Sequence, residues 1–224
     1  MPRVARTVIA GAPHHVTQRG NNREDVFFTD DDRHFYLSTL KRMSAEAGLK
    51  IHAYCLMSNH LHIVATPDYE NSIASTLART HLIYTQHINR LHDRSGHLWQ
   101  NRFYSCPVED NSFPVVVRYV ECNPVRAKME KYAWRYEWSS AAAHCGLADL
   151  SGLLDLYAWT RTYPPSDWKE YLREKENELS TDLIRVSTNR GRPLGSDNFI
   201  SKLEELTGRK LHPLPHGHPR KTED

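Results

Sequence analysis

The amino-acid sequence predicts an α+β fold in which helices lie on the faces of a central antiparallel sheet. Three observations predict it. Strand-like and amphipathic helical runs alternate over the first 122 residues, and two of the strand-like runs are separated by only two residues. The length of 224 residues is enough to bury one core without disulfide or metal staples, and it fits one large domain with an appendage.

The first half of this pattern contains a strand, a helix and a hairpin. Residues 14–19 predict a strand that stops at a Gly-Asn-Asn turn, and residues 29–48 predict a helix with a threonine cap and a closing glycine. Residues 50–57 and 60–66 predict two strands joined by a tight turn. Because both carry apolar residues on both faces, we expect both to be central strands.

The second half of the pattern predicts a helix over residues 71–91, a strand over residues 98–108 and a third helix over residues 112–122. The resulting order, β-α-β-β-α-β-α, is that of the ferredoxin-like split βαβ arrangement with one extra helix.

The chain beyond residue 145 has a weaker pattern. Helical stretches are predicted over residues 149–157 and 166–179, and a loop then leads to a basic Gly/Pro segment at residues 189–195 and one short amphipathic helix. We therefore predict a main domain over residues 1–145 and a helical, basic C-terminal extension over residues 146–224.

The composition excludes several classes of protein. No run approaches 18 apolar residues, which argues against a membrane-spanning helix and a membrane partner. The N-terminus lacks the apolar stretch of a secretory signal. The four cysteines form no C-x-x-C pair, which disfavours a zinc ribbon or a disulfide scaffold and favours a reducing cytoplasm.

The formal charge of +2 hides an uneven distribution. It is the difference between 29 basic and 27 acidic residues. Residues 1–23 carry a net charge of +4, residues 149–182 carry −4, and residues 183–224 carry +3. Both ends are therefore candidates for contact with a polyanion; the alternative is that they are solvated tails.

Two histidines form the first candidate site. His60 and His62 lie two apart on a predicted strand, so both side chains project to the same face. Two imidazoles about 7 Å apart along that face can bind one metal ion. The alternative is a pair of ordinary half-buried histidines, of which a chain with 14 histidines will contain some by chance.

The third predicted helix carries a second candidate set. At about 100° per residue, Tyr119, Asn123 and Arg126 lie near −60°, −20° and −80°, beside the apolar face. A phenol, an amide and a guanidinium on one stripe can act as a nucleophile, a ligand and a phosphate clamp. The alternative for Tyr119 is a tyrosine at the edge of a buried face. Pro124 is expected to kink or end the helix near Asn123.

Four motifs resemble those of one family. Residues 58–64 (Ser-Asn-His-Leu-His-Ile-Val) resemble the His-hydrophobic-His signature of the HUH nucleases. Residues 118–127 (Arg-Tyr-Val-Glu-Cys-Asn-Pro-Val-Arg-Ala) resemble the tyrosine-helix motif of the REP-associated tyrosine transposases, and residues 15–21 and 98–103 resemble two further segments. The likeness runs in order from about residue 2 to residue 145.

This resemblance implies a function and a set of roles. The family cuts and rejoins single-stranded DNA at repetitive extragenic palindromes through a 5′-phosphotyrosine intermediate. Residue by residue, it implies that Tyr119 is the nucleophile and that His60, His62 and Asn123 hold a divalent metal ion, Mg²⁺ or Mn²⁺. Related insertion-sequence transposases carry Gln four residues after the tyrosine, where this chain and its subfamily carry Asn.

The resemblance also implies the partner and the domain roles. Residues 1–145 would be the HUH single-tyrosine catalytic domain, and residues 146–224 a helical connector with a DNA-contacting tail. The partner would be single-stranded or hairpin DNA. The protein would lie in the cytoplasm, associated with the nucleoid, and it could be a monomer or a homodimer. The candidate DNA contacts are Arg19, Asn21, Arg23, Arg102, Arg126, Arg190 and Arg192.

Two other functions fit the same residues. One is a non-catalytic DNA-binding regulator of the same fold, which the presence of the tyrosine and both histidines disfavours. The other is a metal-dependent phosphodiesterase that uses water in place of Tyr119.

Overall fold

The fold is described by a computed structural model that covers residues 6–212. Its four strands are β1 (His14–Arg19), β2 (Leu49–Leu56), β3 (His60–Pro67) and β4 (Tyr104–Pro107). They form one sheet in the order β2-β3-β1-β4, and every neighbouring pair is antiparallel. The predicted α+β class and the ferredoxin-like strand order are confirmed.

Two long helices, α1 (Asp30–Ala47) and α2 (Ser72–Leu91), pack against each other on one face of the sheet. The start of α1 is a reciprocal cap, in which the Asp32 backbone N–H donates to the Thr29 hydroxyl and the Thr29 N–H donates to the Asp32 carboxylate. Gly48 ends α1 in the left-handed conformation, with φ of 64°. Local signals therefore determine both ends of this helix.

The opposite face of the sheet is covered by the remaining helices that bear on the site. The candidate tyrosine lies on α3 (Phe113–Glu121), which contacts β2 and β3, and the C-terminal extension supplies a helix that contacts β1 and β4. The other helices are α4 (Asn123–Arg126), α5 (Ala141–His144), α6 (Leu156–Thr162), α7 (Pro165–Arg173), α8 (Glu178–Arg190), which is the helix on β1 and β4, and α9 (Asp197–Thr207).

The expectation that both hairpin strands are central is wrong for β2, which lies at the edge of the sheet. Its outer side is nonetheless covered by a later segment of chain. The Leu56 N–H donates to the Trp138 carbonyl over 2.8 Å, and the Ser140 N–H donates to the Tyr54 carbonyl over 3.0 Å. The apolar side chains on the two faces of β2 are buried by helices, since β2 contacts both α1 and α3.

The predicted strand over residues 98–108 is also shorter than expected. Only Tyr104–Pro107 pair with β1, and residues 98–103 form a loop. Asn101 has a φ of 47°, a left-handed conformation that a regular ladder does not accommodate. The loop touches the first strand through the Gln100 N–H, which donates to the Arg19 carbonyl over 2.8 Å.

The extension differs most from expectation. Residues 149–155 are not helical, because a turn forms around the Asp149 carboxylate, which accepts from the Ser151 N–H over 2.9 Å. The predicted loop before residue 189 is mostly the helix α8, capped by the Asn177 side chain. The predicted boundary at residue 145 stays a prediction; Trp168 and Ile184 from the extension lie in the same apolar core as the sheet.

Within the described residues, no helix is both long enough and apolar enough to cross a bilayer.

Candidate active site

The two candidate metal-binding histidines lie side by side on one face of β3. Their ring centres are 5.2 Å apart and the rings are nearly perpendicular. Burial, and then the charges of Arg19 and Arg126, lower the pKa of His60 to about 4. Burial, followed by charge from His15 and His60, holds the pKa of His62 well below 6.5. Both imidazoles are therefore neutral near pH 7, which is the form that binds metals.

The hydrogen bonds of His60 determine which of its nitrogens is free. The Asn59 side-chain amide donates to the Arg23 carbonyl over 3.0 Å, so the Asn59 Oδ1 faces the other way as an acceptor. This oxygen is 2.6 Å from Nδ1 of His60, which therefore carries the proton and donates. The Nε2 lone pair of His60 is left available to an ion.

His62 is held by a third histidine, His15 on β1. The two rings are nearly parallel, with 5° between their planes and centres 5.2 Å apart, and Nε2 of His15 lies 2.9 Å from Nδ1 of His62. Nδ1 of His15 lies 2.7 Å from the Thr188 hydroxyl of α8. Burial, and then the charge of Arg126, lower the pKa of His15 to about 3. A neutral His15 can accept from His62, and that bond leaves Nε2 of His62 free.

Sequence reasoning missed the contact between His15 and His62. Adjacent residues on a strand face opposite ways, and this is observed: His14 lies with its Nδ1 2.8 Å from the Ala12 carbonyl, away from His62. The signal that could have found His15 is the pairing of β1 with β3, which places His15 opposite Val64 and diagonally beside His62.

The candidate nucleophile lies against these histidines within the same chain. The Tyr119 ring meets His62 edge to face at 5.7 Å between centres, and meets His15 in the same way at 5.6 Å. Tyr119 is 5% exposed. The packing of α3 against β3 therefore brings the phenol and the two histidines together within one chain.

Asn123 follows one turn after Tyr119 at the start of α4. Its side-chain amide donates to the Tyr119 carbonyl over 3.2 Å and to the Val120 carbonyl over 2.9 Å. Because Nδ2 makes both bonds, Oδ1 is the atom that remains as an acceptor. As expected, Pro124 separates α3 from α4, yet the stripe of Tyr119, Asn123 and Arg126 continues across this break.

These three side chains fit a divalent cation. The two free Nε2 atoms of His60 and His62 and the free Oδ1 of Asn123 make an imidazole and oxygen donor set, which suits Mn²⁺ and is compatible with Mg²⁺. Over residues 6–212, no group of three His, Cys, Asp or Glu side chains could hold a metal ion. Asn123, whose amide lies outside that class, stays a predicted third ligand.

The helix α8 covers the tyrosine. Tyr119 lines a small hollow of about 120 Å³ together with Thr181 and Ile184 of α8. Burial lowers the pKa of Arg185, but hydrogen bonding and charge interaction with Tyr119, and then with Asp182, raise it overall. A guanidinium of the extension therefore lies beside the tyrosine hydroxyl, a contact that no sequence motif indicates.

Arg126 is a second arginine in contact with the tyrosine. Its guanidinium is 4.1 Å from the centre of the Tyr119 ring, and its Nη1 lies 2.6 Å and 2.8 Å from the two carboxylate oxygens of Glu176. The prediction that Arg126 contacts DNA remains a prediction; here the side chain joins α4 to the extension.

Three further candidate DNA contacts lie beside His60. Arg19 is directly opposite His60 in the pairing of β1 with β3, and Asn21 and Arg23 follow in the turn after β1. All three side chains are exposed. The two arginines place positive charge in a solvent-facing turn next to the candidate metal-binding pair.

The remaining predicted DNA contacts lie around a second surface, a groove of about 590 Å³ that we call the basic groove. Arg102, Arg190 and Arg192 line it, together with residues that sequence reasoning missed, among them Arg6 and Lys210. Of the described residues that line it, none is acidic. Burial, and then the charge of Arg102, lower the pKa of Arg6 to about 10.

The comparison with known families decides the identity of the chain. A family described as "Transposase IS200 like" matches residues 10–123, just over half of the 224 residues. The chain belongs to the IS200-like transposase family. The matched range includes His15, both histidines of β3, Tyr119 and Asn123. As a member, this chain has the general role of a DNA transposase.

Solved structures match parts of this IS200-like transposase. A REP-associated tyrosine transposase bound to a REP hairpin is 17% identical, with a TM-score of 0.57, over 70% of this chain and 90% of that one. A candidate transposase from Deinococcus radiodurans R1 is 16% identical, with a TM-score of 0.38, over 54% of this chain and 96% of that one. No curated protein matches the sequence.

Part of the site lies outside the matched range of this IS200-like transposase. Thr188, Arg185 and Glu176, which contact His15, Tyr119 and Arg126, all belong to the extension beyond residue 123. The extension is therefore part of the site as well as an appendage to the fold.

Proposed function

We propose that this IS200-like transposase cleaves and rejoins single-stranded DNA, with Tyr119 as the nucleophile and His60, His62 and Asn123 as the residues that hold a divalent ion. The observation that carries the proposal is the edge contact of Tyr119 with His62, 5.7 Å between ring centres, beside two imidazoles whose Nε2 atoms are free. A phenol beside a ligand set is the arrangement that tyrosine-mediated phosphoryl transfer requires.

The chemistry follows from the tyrosine. The Tyr119 oxygen attacks the scissile phosphorus, a new O–P bond forms, and the bond from phosphorus to the 3′ oxygen breaks. The phenol proton is released to solvent and the leaving 3′ oxygen takes one up, which gives a 5′-phosphotyrosine and a free 3′-hydroxyl. Since the phosphodiester energy is conserved, the reverse attack rejoins strands without ATP.

Two sources of positive charge support this step, a pair of arginines and a bound divalent ion. Arg185 and Arg126, which both interact with Tyr119, place positive charge near the phosphate that approaches it. A bound divalent ion supplies Lewis-acid stabilisation of the charge on the phosphate oxygens. His60 and His62 stay neutral near pH 7, so they are ready to hold it.

Access to the tyrosine requires movement of the extension. Tyr119 is 5% exposed, and the hollow of about 120 Å³ around it is too small for a nucleotide. The proposal therefore includes a local shift of the first turn of α8, around Thr181, away from Tyr119, while the end of the helix that carries Thr188 stays on the sheet.

The proposed partner is a DNA hairpin with single-stranded flanks. A REP hairpin is the ligand of the REP-associated tyrosine transposase of similar fold. In this chain, two positively charged surfaces support DNA as the ligand: the turn that carries Arg19 and Arg23 beside His60, and the basic groove. Binding to chromosomal DNA would place the protein at the nucleoid.

A palindrome-derived single-stranded oligonucleotide with Mn²⁺, analysed on a denaturing gel, tests the proposal. We expect a covalent protein–DNA band and a 3′-hydroxyl product. Tyr119→Phe should lose both, whereas Tyr157→Phe, which alters a tyrosine that is 75% exposed on α6, should keep both.

The burial of Tyr119 favours one rival, a metal-dependent phosphodiesterase that uses water. Cleavage by Tyr119→Phe, with no covalent band in the wild type, would establish that rival. Hairpin binding without any cleavage would establish a DNA-binding regulator. His60→Ala should abolish cleavage and spare hairpin binding; equal loss of both would show that His60 is structural.

A further inference from the structure

A chain of hydrogen bonds runs from the end of α8 to the metal-ligand pair. The Thr188 hydroxyl donates to the Ile184 carbonyl over 2.8 Å, the back-bonding geometry common for threonine in helices. It accepts from Nδ1 of His15, 2.7 Å away. Nε2 of His15 then accepts from Nδ1 of His62 over 2.9 Å. The only nitrogen of His62 without a proton is Nε2.

We propose that Thr188 is a positioning residue of the metal site, because its hydroxyl keeps His15 in the Nδ1–H form and thereby keeps the Nε2 lone pair of His62 free for the ion. This inference rests on the proposed metal-binding role of His62. It extends that role to a residue of the C-terminal extension, 126 positions after His62 in the sequence.

The two histidines of the pair are held in different ways. His60 is fixed by Asn59, its immediate neighbour in the hairpin turn. His62 is fixed through His15 by a residue from a helix that folds back over the sheet. Metal ligands normally donate their second nitrogen to an oriented acceptor, and the loss of such a partner lowers metal affinity about 10–100-fold.

The bond between His15 and Thr188 is buried. Thr188 is 2% exposed, His15 is 1% exposed, and the Cys106 thiol lies 3.3 Å from the Thr188 hydroxyl. Without the hydroxyl, the His15 Nδ1–H has no acceptor. The proton is then better placed on Nε2, where His15 donates to His62 and forces the His62 proton onto the metal-binding nitrogen.

The end of α8 is fixed to the sheet, which makes Thr188 suitable for this task. Gly191 closes the helix in the left-handed conformation, with φ of 64°. Beyond it, the Leu194 N–H donates to the Pro107 carbonyl over 2.8 Å, so the chain is tied to the end of β4. The helix end at Gly191 and the hydrogen bond of Leu194 together hold Thr188 over β1 and β4.

The test measures the tautomer and the metal affinity separately. Long-range ¹H–¹⁵N spectra of the full chain with ¹⁵N-labelled histidine report which nitrogen of His15 and His62 carries the proton. Titration with Mn²⁺ alone, followed by electron paramagnetic resonance of free Mn²⁺, gives the affinity. Thr188→Val removes only the hydroxyl, Thr188→Ser retains it, and Thr181→Val is a matched control on the buried face of the same helix.

In the wild type we expect His62 protonated on Nδ1. Thr188→Val should move that proton to Nε2 and weaken Mn²⁺ binding about 10–100-fold. Thr188→Ser and Thr181→Val should change neither. Unchanged tautomers and affinity in Thr188→Val would overturn the proposal, as would a wild type with His62 protonated on Nε2.

A second variant and a second readout keep the test informative if the first experiment fails. If Thr188→Val does not fold, His15→Phe, which keeps the ring and removes both nitrogens, should show the same weakening of Mn²⁺ binding; wild-type affinity in that variant would refute the inference. If the wild type binds no Mn²⁺, the metal part of the proposed function fails. The spectra would still show whether Thr188 determines which nitrogen of His15 carries the proton.

Discussion

The guanidinium of Arg126 lies 4.1 Å from the centre of the Tyr119 ring, and its Nη2 donates to the Tyr119 carbonyl over 2.6 Å. The same side chain is paired with Glu176 of the extension. Arg126 therefore holds Tyr119 in position and connects α4 to the segment that precedes α8.

The Arg126–Glu176 pair should be energetically coupled. The two side chains are 19% and 20% exposed, so each charge is partly desolvated and relies on the other. We expect a coupling free energy of about 1–2 kcal/mol from a double-mutant cycle of Arg126→Gln and Glu176→Gln in urea unfolding. The exposed Arg173–Glu170 pair on α7 should couple by less than about 1 kcal/mol. Additive effects at Arg126 and Glu176 would contradict this prediction.

Binding of single-stranded DNA should depend on salt through the basic groove. Arg102→Gln with Arg190→Gln removes two cations that line it. Each lost phosphate contact should reduce the slope of log affinity against log salt by about 0.7. Fluorescence anisotropy between about 50 and 200 mM salt measures this slope. Arg42→Gln, an exposed arginine of α1 outside the groove, is the control; equal slopes for both proteins would show that the strand does not follow the groove.

The Glu121 carboxylate should be a major determinant of stability. It is fully buried and accepts from the Ser140 hydroxyl, the His144 ring and the Trp168 indole over 2.5, 2.6 and 2.8 Å. Glu121→Ala leaves these donors unpaired and should cost about 3–5 kcal/mol. Glu137→Ala, at an exposed site, should change the free energy of unfolding by less than about 0.5 kcal/mol. Chemical denaturation that finds Glu121→Ala equal to this control would refute the prediction.

Stability should fall in mild acid because of His81, a histidine away from the site. His81 on α2 lies with its Nε2 3.1 Å from the Tyr36 hydroxyl and stacks on Trp99, and burial lowers its pKa to about 3. Above pH 6.5 the residue is neutral in both states. Between pH 6.5 and about 3, the unfolded chain binds a proton that the folded chain does not. The free energy of unfolding therefore decreases as the pH is lowered, by up to about 1.4 kcal/mol per pH unit.

The variant His81→Phe isolates this contribution. It removes the proton-binding group, so the free energy of unfolding should change less steeply between about pH 6 and pH 4, by up to about 1.4 kcal/mol per unit. Urea unfolding at a series of pH values measures the difference. The same slope in both proteins would show that His81 binds its proton equally in the folded and unfolded states.

Much of the fold could be predicted because its signals are local. The cap at Thr29 and the glycine at position 48 fix α1, and the two-residue turn before His60 fixes the hairpin. The stripe of Tyr119 and Arg126 depends only on helical spacing. It holds through the break because the Cys122 N–H donates to the Arg118 carbonyl and keeps the helical phase.

The parts that could not be predicted depend on tertiary contacts. The buried face of α8 includes Thr181 and Thr188 beside Ile184, while the apolar residues Leu179 and Leu183 face solvent, so the hydrophobic pattern that marks a packed helix is weak. The role of His15 depends on which strand pairs with β3 and on which helix lies above it. Neither is encoded within a short window of sequence.

The bond between His15 and Thr188 joins residues 173 positions apart, which has a consequence for biosynthesis. On a ribosome, Asn123 emerges roughly 65 residues before Thr188, a delay of about 3–13 seconds at ordinary elongation rates. Under the proposed positioning role, a nascent chain exposes its candidate ligands during that interval without the contact that sets the proton on His62. Metal capture, and with it any cutting of nearby DNA, is thereby deferred until residue 188 has been translated and folded.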